Sequence, residues 1–174
     1  MAATEFALLL PVQVFLFFGL IEVSDAMTVN RRVALATNTL ADLVAQSKQL
    51  TVKEVDSLFL GVQEILDSND ASGLTLNLIS VVQDPKGNPI VHWSRDVDGK
   101  QPYAPDSAFT RLTDATTLTA NSSLIVAEVT YSYTPTLAGH FLSAPIVFRR
   151  QTTRWPRLSI RVQLCMAPGV GCTT

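Results

Sequence analysis

Positive charge is missing from the start of the chain: no Lys or Arg precedes Arg31. A cleaved secretory signal opens on a basic stretch, and here Glu5 stands where that charge belongs, which argues against an ordinary signal peptide. Only Ser24-Asp25-Ala26, which could pass for a small-x-small cleavage site, speaks for one. Charge is scarce throughout. Asp, Glu, Lys and Arg make up 16% of the 174 residues and leave a formal net charge of −2, so no basic surface invites nucleic acid. Histidine is limited to His92 and His140, and neither sits in an H-E-x-x-H, G-x-S-x-G or phosphate-loop context. His92, beside Trp93 in a predicted strand, reads as a structural histidine. Asp96, Asp98 and Asp106 punctuate a loop but lack the spacing and terminal Glu of an EF-hand. The only cysteines, Cys165 and Cys172, have no His or carboxylate set beside them, which argues against a metal site. Asn121-Ser122-Ser123 has the form of a glycosylation acceptor, a pattern common by chance. No short-period repeat occurs. The chain reads as non-enzymatic, with no cofactor.

What is present, first of all, is the apolar run Phe6 to Ile21, sixteen uncharged residues bracketed by Glu5 and Glu22. As a helix it spans about 24 Å, a little short of the ~30 Å hydrocarbon core of a bilayer, so it must draw on Ala2, Ala3 and Val23 or thin the membrane. Glu5 is thereby pulled toward lipid, where a carboxylate is costly and usually has a partner or a task. A plain transmembrane anchor explains the apolarity but neither Glu5 nor Pro11. The remaining reading is a membrane helix that later leaves the bilayer and packs against copies of itself.

Helical spacing continues past the apolar run, with Val29, Val33, Ala36, Leu40 and Leu43 tracing a narrow stripe. Fused to the membrane run it makes one helix of about 45 residues, roughly 70 Å long; a separate core helix over residues 29–48 is the alternative. Thr51 and Glu54 form a T-x-x-E capping box that opens a second helix, whose wide stripe (Val55, Leu58, Phe59, Val62, Ile65, Leu66) suits packing on a sheet. Turn formers from Ser68 to Gly73 end it. Leu74, Leu76 and Leu78 then alternate with Thr75, Asn77 and Ile79, and the Asp84–Pro89 turn returns the chain through Ile90 to Ser94 as a β-hairpin. Residues 95 to 123 are polar and read as a long loop with room for one helical turn. Strands follow at Leu124–Tyr133, Ile146–Thr153 and Leu158–Cys165, the last with its apolar face turned to the helices. The fold class is therefore α+β: a long N-terminal transmembrane and stem α-helix, a second helix, and an antiparallel β-sheet head. The expected divisions are residues 1–25 in the membrane, 26–50 as the exported continuation of the stem, and 51–174 as the head domain with its C-terminal disulfide loop.

Ala3-Thr4-Glu5-Phe6-Ala7-Leu8-Leu9-Leu10-Pro11, followed by Phe17-Phe18-Gly19-Leu20-Ile21-Glu22, resembles the opening of the TadE-like proteins, minor pilins or pseudopilins of tight-adherence, type IV-like pili. That family opens with an E-F-A-L-x-L-P run and a G-I-x-E exit. Val126-Ala127-Glu128-Val129-Thr130-Tyr131-Ser132-Tyr133-Thr134-Pro135 is similar to its aromatic V-x-Y-x-Y-x-P strand, a shorter and less specific likeness. The resemblance implies a precursor cut by a prepilin peptidase and a Glu at the fifth mature position, which is Glu5 if Met1 is the mature N-terminus. It further implies other pilin subunits, major and minor, as partners. Phe6, Leu9, Pro11, Phe15 and Phe18 are the candidates for stem packing. A new α-amino group is cationic near neutral pH, and a neighbouring subunit's Glu5 can neutralise it inside an apolar bundle, fixing axial register more than adding stability. Pro11 removes one backbone donor and can kink the helix.

Two features bear on which side of the membrane the head lies. Arg31 and Arg32 follow the apolar run, and by the positive-inside rule alone they would hold the body in the cytoplasm; a basic leader removed from the N-terminus would reverse the balance. Cys165 and Cys172, separated by Met-Ala-Pro-Gly-Val-Gly, favour a disulfide in an oxidising compartment, with two reduced cytoplasmic thiols as the alternative. Such a bond would contribute about 2 to 3 kcal/mol on a loop-entropy model. Arg149, Arg150, Arg154, Arg157 and Arg161 concentrate positive charge near the C-terminus, as solvated strand faces or as a contact patch for an acidic neighbour or surface polysaccharide. The expected protein is a minor pilin or pseudopilin, held in the inner membrane with a periplasmic head before assembly and placed in a cell-surface pilus afterwards, supporting adhesion. An N-terminally anchored periplasmic binding module and a secreted enzyme domain released from a signal peptide are the alternatives.

Overall fold

The computed structural model describes residues 2–66, 73–112, 118–119, 122–135 and 145–173, with side chains from Glu5 onward. The apolar run and the amphipathic segment form one element: helix α1 (Ala2–Ala45) runs for 44 residues without a break, and Pro11 lies inside it. No separate core helix begins near residue 29. The buried stripe is Val33, Ala36, Thr37, Leu40, Ala41 and Val44, and the Thr37 hydroxyl is satisfied by donating to the Val33 carbonyl at 2.7 Å. Leu43, expected inside, is exposed, its place taken by Ala41 and Val44.

A short strand, β1 (Gln49–Thr51), leads directly into helix α2 (Val52–Leu66). The predicted capping box is closed in both directions. The Thr51 amide donates to Glu54 Oε2 at 2.7 Å, and the Glu54 amide donates to Thr51 Oγ1 at 3.3 Å. Those bonds hold the Glu54 carboxyl below its ordinary pKa. Val55, Phe59, Val62 and Leu66 face inward. On the rim, the Arg95 guanidinium grips Asp56 with two of its nitrogens, Nε and Nη2, at 2.9 and 3.0 Å, and ties α2 to the sheet. The turn expected from Ser68 lies mostly outside the described residues.

Strands β2 (Leu74–Gln83), β3 (Pro89–Asp96), β4 (Ser123–Tyr133) and β5 (Ile146–Arg154) form an antiparallel sheet in the order β3-β2-β4-β5. Asp84 builds the β2–β3 turn by accepting from the amides of Lys86 and Asn88, at 2.8 and 2.7 Å. Leu76, Leu78, Ile125, Ala127 and Val129 stand on the face that packs against α1 and α2. Ile79, Val81, Val91, Leu124 and Val126 stand on the other face, beneath Phe109 and Leu118 of the long loop. The segment expected to connect is therefore a cover. It is stitched to β3 by Val91 N to Ser107 O and Phe109 N to Pro89 O, both 2.9 Å. No helical turn occurs among its described residues.

The last predicted strand is the main correction. Only Gln163–Cys165 is extended as β6, and it pairs in parallel with β1, not with the main sheet. The chain leaves β5 through Trp155-Pro156 and crosses the end of α1, pinned by Arg157 N to Ala45 O (2.7 Å) and Ser123 N to Ile160 O (2.9 Å). Leu158 and Ile160 are exposed there, while Val162 alone of the alternating set is fully buried. Period-two alternation needs a neighbouring edge with free donors and acceptors before it becomes a strand, and the chain meets one only at β1.

Candidate functional site

Residues 5–21 of α1 are exposed on every side. Leu8 is 77% and Phe15 80% accessible, and an 18-residue window there has a mean hydropathy of 2.2 with nothing buried against the head. At 100° per residue, Pro11, Phe15 and Phe18 share one side of the helix while Phe6 and Leu9 lie on the opposite one. The packing candidates thus ring the stem; they do not form a single stripe. Glu5 is exposed in the first turns, and Met1, its expected counterpart, lies outside the described residues. Contact with the head sets in lower down. Glu22 and Ala26 are half-buried, and Val33 is the first fully buried residue. Burial raises the Tyr133 phenol pKa, and the nearby carboxylates of Glu22 and Asp25 push in the same direction.

A helix apolar all the way round is stable only inside lipid or inside a bundle of other helices. Here the head covers the C-terminal half alone. Residues 1–42 match the family model described as TadE-like protein. The TadE-like match covers the apolar run and most of the amphipathic half, and it stops short of β1; the strand with the V-x-Y-x-Y-x-P likeness lies outside it. The likeness read from Ala3–Pro11 and Phe17–Glu22 is borne out over that span. Neither the curated proteins nor the solved structures contain a match to the chain. The TadE-like segment and the exposed apolar helix together fit a component of a tight-adherence pilus, anchored in a membrane through α1 and associated with other pilus components.

At the other end, Cys165 and Cys172 are bonded. The enclosed loop turns through Ala167 and Val170, with Gly169 and Gly171 in left-handed conformations (φ 70° and 62°) that side chains with a Cβ rarely adopt. The adjoining strand is held by Leu164 N donating to Thr173 Oγ1 at 3.0 Å.

The arginines close in sequence divide between the two faces of the sheet. Arg150 donates to Asn30 Oδ1 at 2.9 Å, Arg154 to Asn38 Oδ1 at 3.2 Å, and Arg157 to Asp42, so all three are engaged with the polar edge of α1. Arg149 points to the face away from the helices, as strand alternation requires. His92 lies on β3, half-buried, and His140 and Asn121 lie outside the described residues. Asp96 accepts from the Lys100 amide and Asp98 pairs with the Lys100 ammonium. No group of three or more His, Cys, Asp or Glu side chains converges as a metal site among the described residues.

Sequence reasoning missed one polar cluster on that second face. Glu128, 9% exposed, accepts from Tyr103 OH at 2.9 Å and from Asn77 Nδ2 at 3.2 Å, and lies 3.8 Å from Arg111. Burial, then the bond to Glu128, pushes the Tyr103 phenol up to about 12. The available signal was Asn77 and Glu128, two polar residues interrupting apolar strands and, as the register shows, directly opposite each other.

Proposed function

We propose that this chain is a minor pilin or pseudopilin of a tight-adherence pilus. The observation that carries the reading is the division of α1: one unbroken helix, apolar and uncovered over its first half and built into an α+β head over its second. Before assembly the uncovered half, residues 1–25, sits in the inner membrane. Residues 26–50 continue it outward, and residues 51–174 form the periplasmic head. In the pilus, or in the complex that initiates it or caps its tip, helices of neighbouring subunits replace lipid around Phe6, Leu9, Pro11, Phe15 and Phe18. That these side chains ring the helix suits a subunit with neighbours on all sides. Glu5 pairs with a neighbouring N-terminus and sets the axial step. The Cys165–Cys172 bond supports a head in an oxidising compartment, against the pull of Arg31 and Arg32. The head then serves contact with other pilins and, through them, surface adhesion.

The test is the N-terminus of the native protein, read by mass spectrometry in membrane and sheared-surface fractions, with and without the prepilin peptidase. The expected result is a peptidase-dependent start at Met1 and protein in both fractions. A start at Met27 would mean an ordinary signal peptide and a released head, and would overturn the reading.

A further inference from the structure

Among the described residues, the face of the sheet turned away from the helices is covered over only part of its length. Phe109 and Leu118 seal it over Ile79, Val81, Leu124 and Val126. Toward the other end of β2, β4 and β5 no described residue of the loop is packed on it, and the strand register sets two polar rows across it. One row is Thr75, Thr130 and Arg149; the next is Asn77, Glu128 and Gln151. Together they floor a cleft of about 430 Å³ with Arg111 and Arg150 also at its lining and no apolar residue among the described lining residues.

The two rows differ in what their side chains are doing. Glu128 is occupied by Asn77, Tyr103 and Arg111, and Gln151 Nε2 donates to the Arg111 carbonyl at 3.0 Å. The second row is thus a closed network in which the Arg111 and Glu128 charges offset one another. In the first row, no described residue bonds to the side chains of Thr75, Thr130 or Arg149. A guanidinium that gives its donors to no described residue, flanked by two hydroxyls, is a ready partner for a planar anion.

We infer that this cleft binds a carboxylated saccharide, the uronic-acid unit of an acidic polysaccharide, with its carboxylate on Arg149 and its hydroxyls on Thr75 and Thr130. The lining decides for a saccharide over an acidic protein segment. A protein contact of this size needs an apolar centre, and the described lining residues supply none, whereas a polyol needs closely spaced donors and acceptors on a rigid floor. The volume suits one or two sugar rings. The site stands on the head alone and does not depend on how the stem is processed or assembled.

The experiment is calorimetric titration of the full chain in detergent micelles with trigalacturonate, its methyl-esterified neutral counterpart and a glutamate-rich peptide. Saturable binding of trigalacturonate is expected, about tenfold or more tighter than the neutral form, because one charge-assisted contact is lost. Arg149→Gln should weaken it by a similar factor, Thr130→Val by a smaller one, and Arg157→Gln, on the far face, should leave it unchanged. Unchanged melting of the Arg149→Gln and Thr130→Val proteins separates lost binding from lost fold. Absence of saturation up to about 10 mM, equal binding of the neutral form or of the peptide, or indifference to Arg149→Gln would each overturn the assignment.

Discussion

The indole Nε1 of Trp93 donates to the main-chain oxygen of Val162 at 2.8 Å, joining two residues that are both buried and 69 positions apart. This bond anchors the C-terminal segment to β3 at the one point where its alternating residues turn fully inward. Trp93→Phe would leave the Val162 carbonyl without its donor and open space beside it. The loss expected is about 2 to 4 kcal/mol, read as a lower denaturation midpoint by far-UV circular dichroism. A shift within a few tenths of a kcal/mol would mean that water or a rearranged side chain takes over the bond.

That contact also marks where sequence pattern stops being informative. Helix α1 was legible because hydropathy and the three-and-four spacing persist over tens of residues, and the start of α2 was legible because a capping box is wholly local. The Leu158–Cys165 alternation was equally clear, yet it became a bent crossing: pairing depends on which sheet edge the chain meets, and nothing within the segment encodes that. Strand β1 was too short to show a period. Phe109 and Leu118 lie in a segment whose composition is polar, and only the fold reveals them as the lid of the second core. The candidate site divided in the same way. The apolar stem could be read directly, whereas adjacency in sequence hid the opposite orientations of Arg149 and Arg150 across the sheet.

Tyr103 gives a pH signature. Its phenol is held up to about 12, against an ordinary value of 10.0, mainly by burial and then by Glu128. The folded state therefore keeps this proton where the unfolded chain has released it. The contribution is fully present below pH 10 and is lost as pH rises from there toward about 12. Titration of tyrosinate absorbance should show a late step from Tyr103 beside that of Tyr133, whose pKa is also raised, and Tyr103→Phe should remove the Tyr103 step alone. The same substitution should flatten the alkaline fall in stability. If Tyr103→Phe leaves both curves unchanged, the hydroxyl is not held as the structure places it.

Asp42 receives Arg157 and lies 3.7 Å from Arg154, joining α1 to the end of β5 and to the segment beyond it. Both arginines and the carboxylate are more than a third exposed, so solvent screens the interaction. Asp42→Asn should cost no more than about 1 kcal/mol, and that cost should shrink in high salt. A double-mutant cycle with Arg157→Gln should return a coupling of about 0.5 kcal/mol. A coupling several times larger, insensitive to salt, would show that the pair is shielded from water in the assembled protein.

The two halves of α1 should respond to substitution independently, and that independence separates anchoring from assembly. Leu16 is exposed, in a stretch of α1 of which nothing is buried against the described head. Leu16→Arg should therefore leave head melting in detergent unchanged, while adding about 2.5 to 3.5 kcal/mol to the cost of membrane insertion, seen as protein lost from the membrane fraction. Glu5→Ala should do the reverse of harm to anchoring, since it removes a carboxylate from the edge of the hydrocarbon. The substituted chain should stay in the membrane and disappear from sheared surface material, because the step between subunits has lost its ionic partner. Normal shedding of Glu5→Ala would sink the register role while leaving the anchor intact. Coupled loss of membrane retention and head stability in Leu16→Arg would mean that the apolar half folds back on the head, contrary to its exposure on every side.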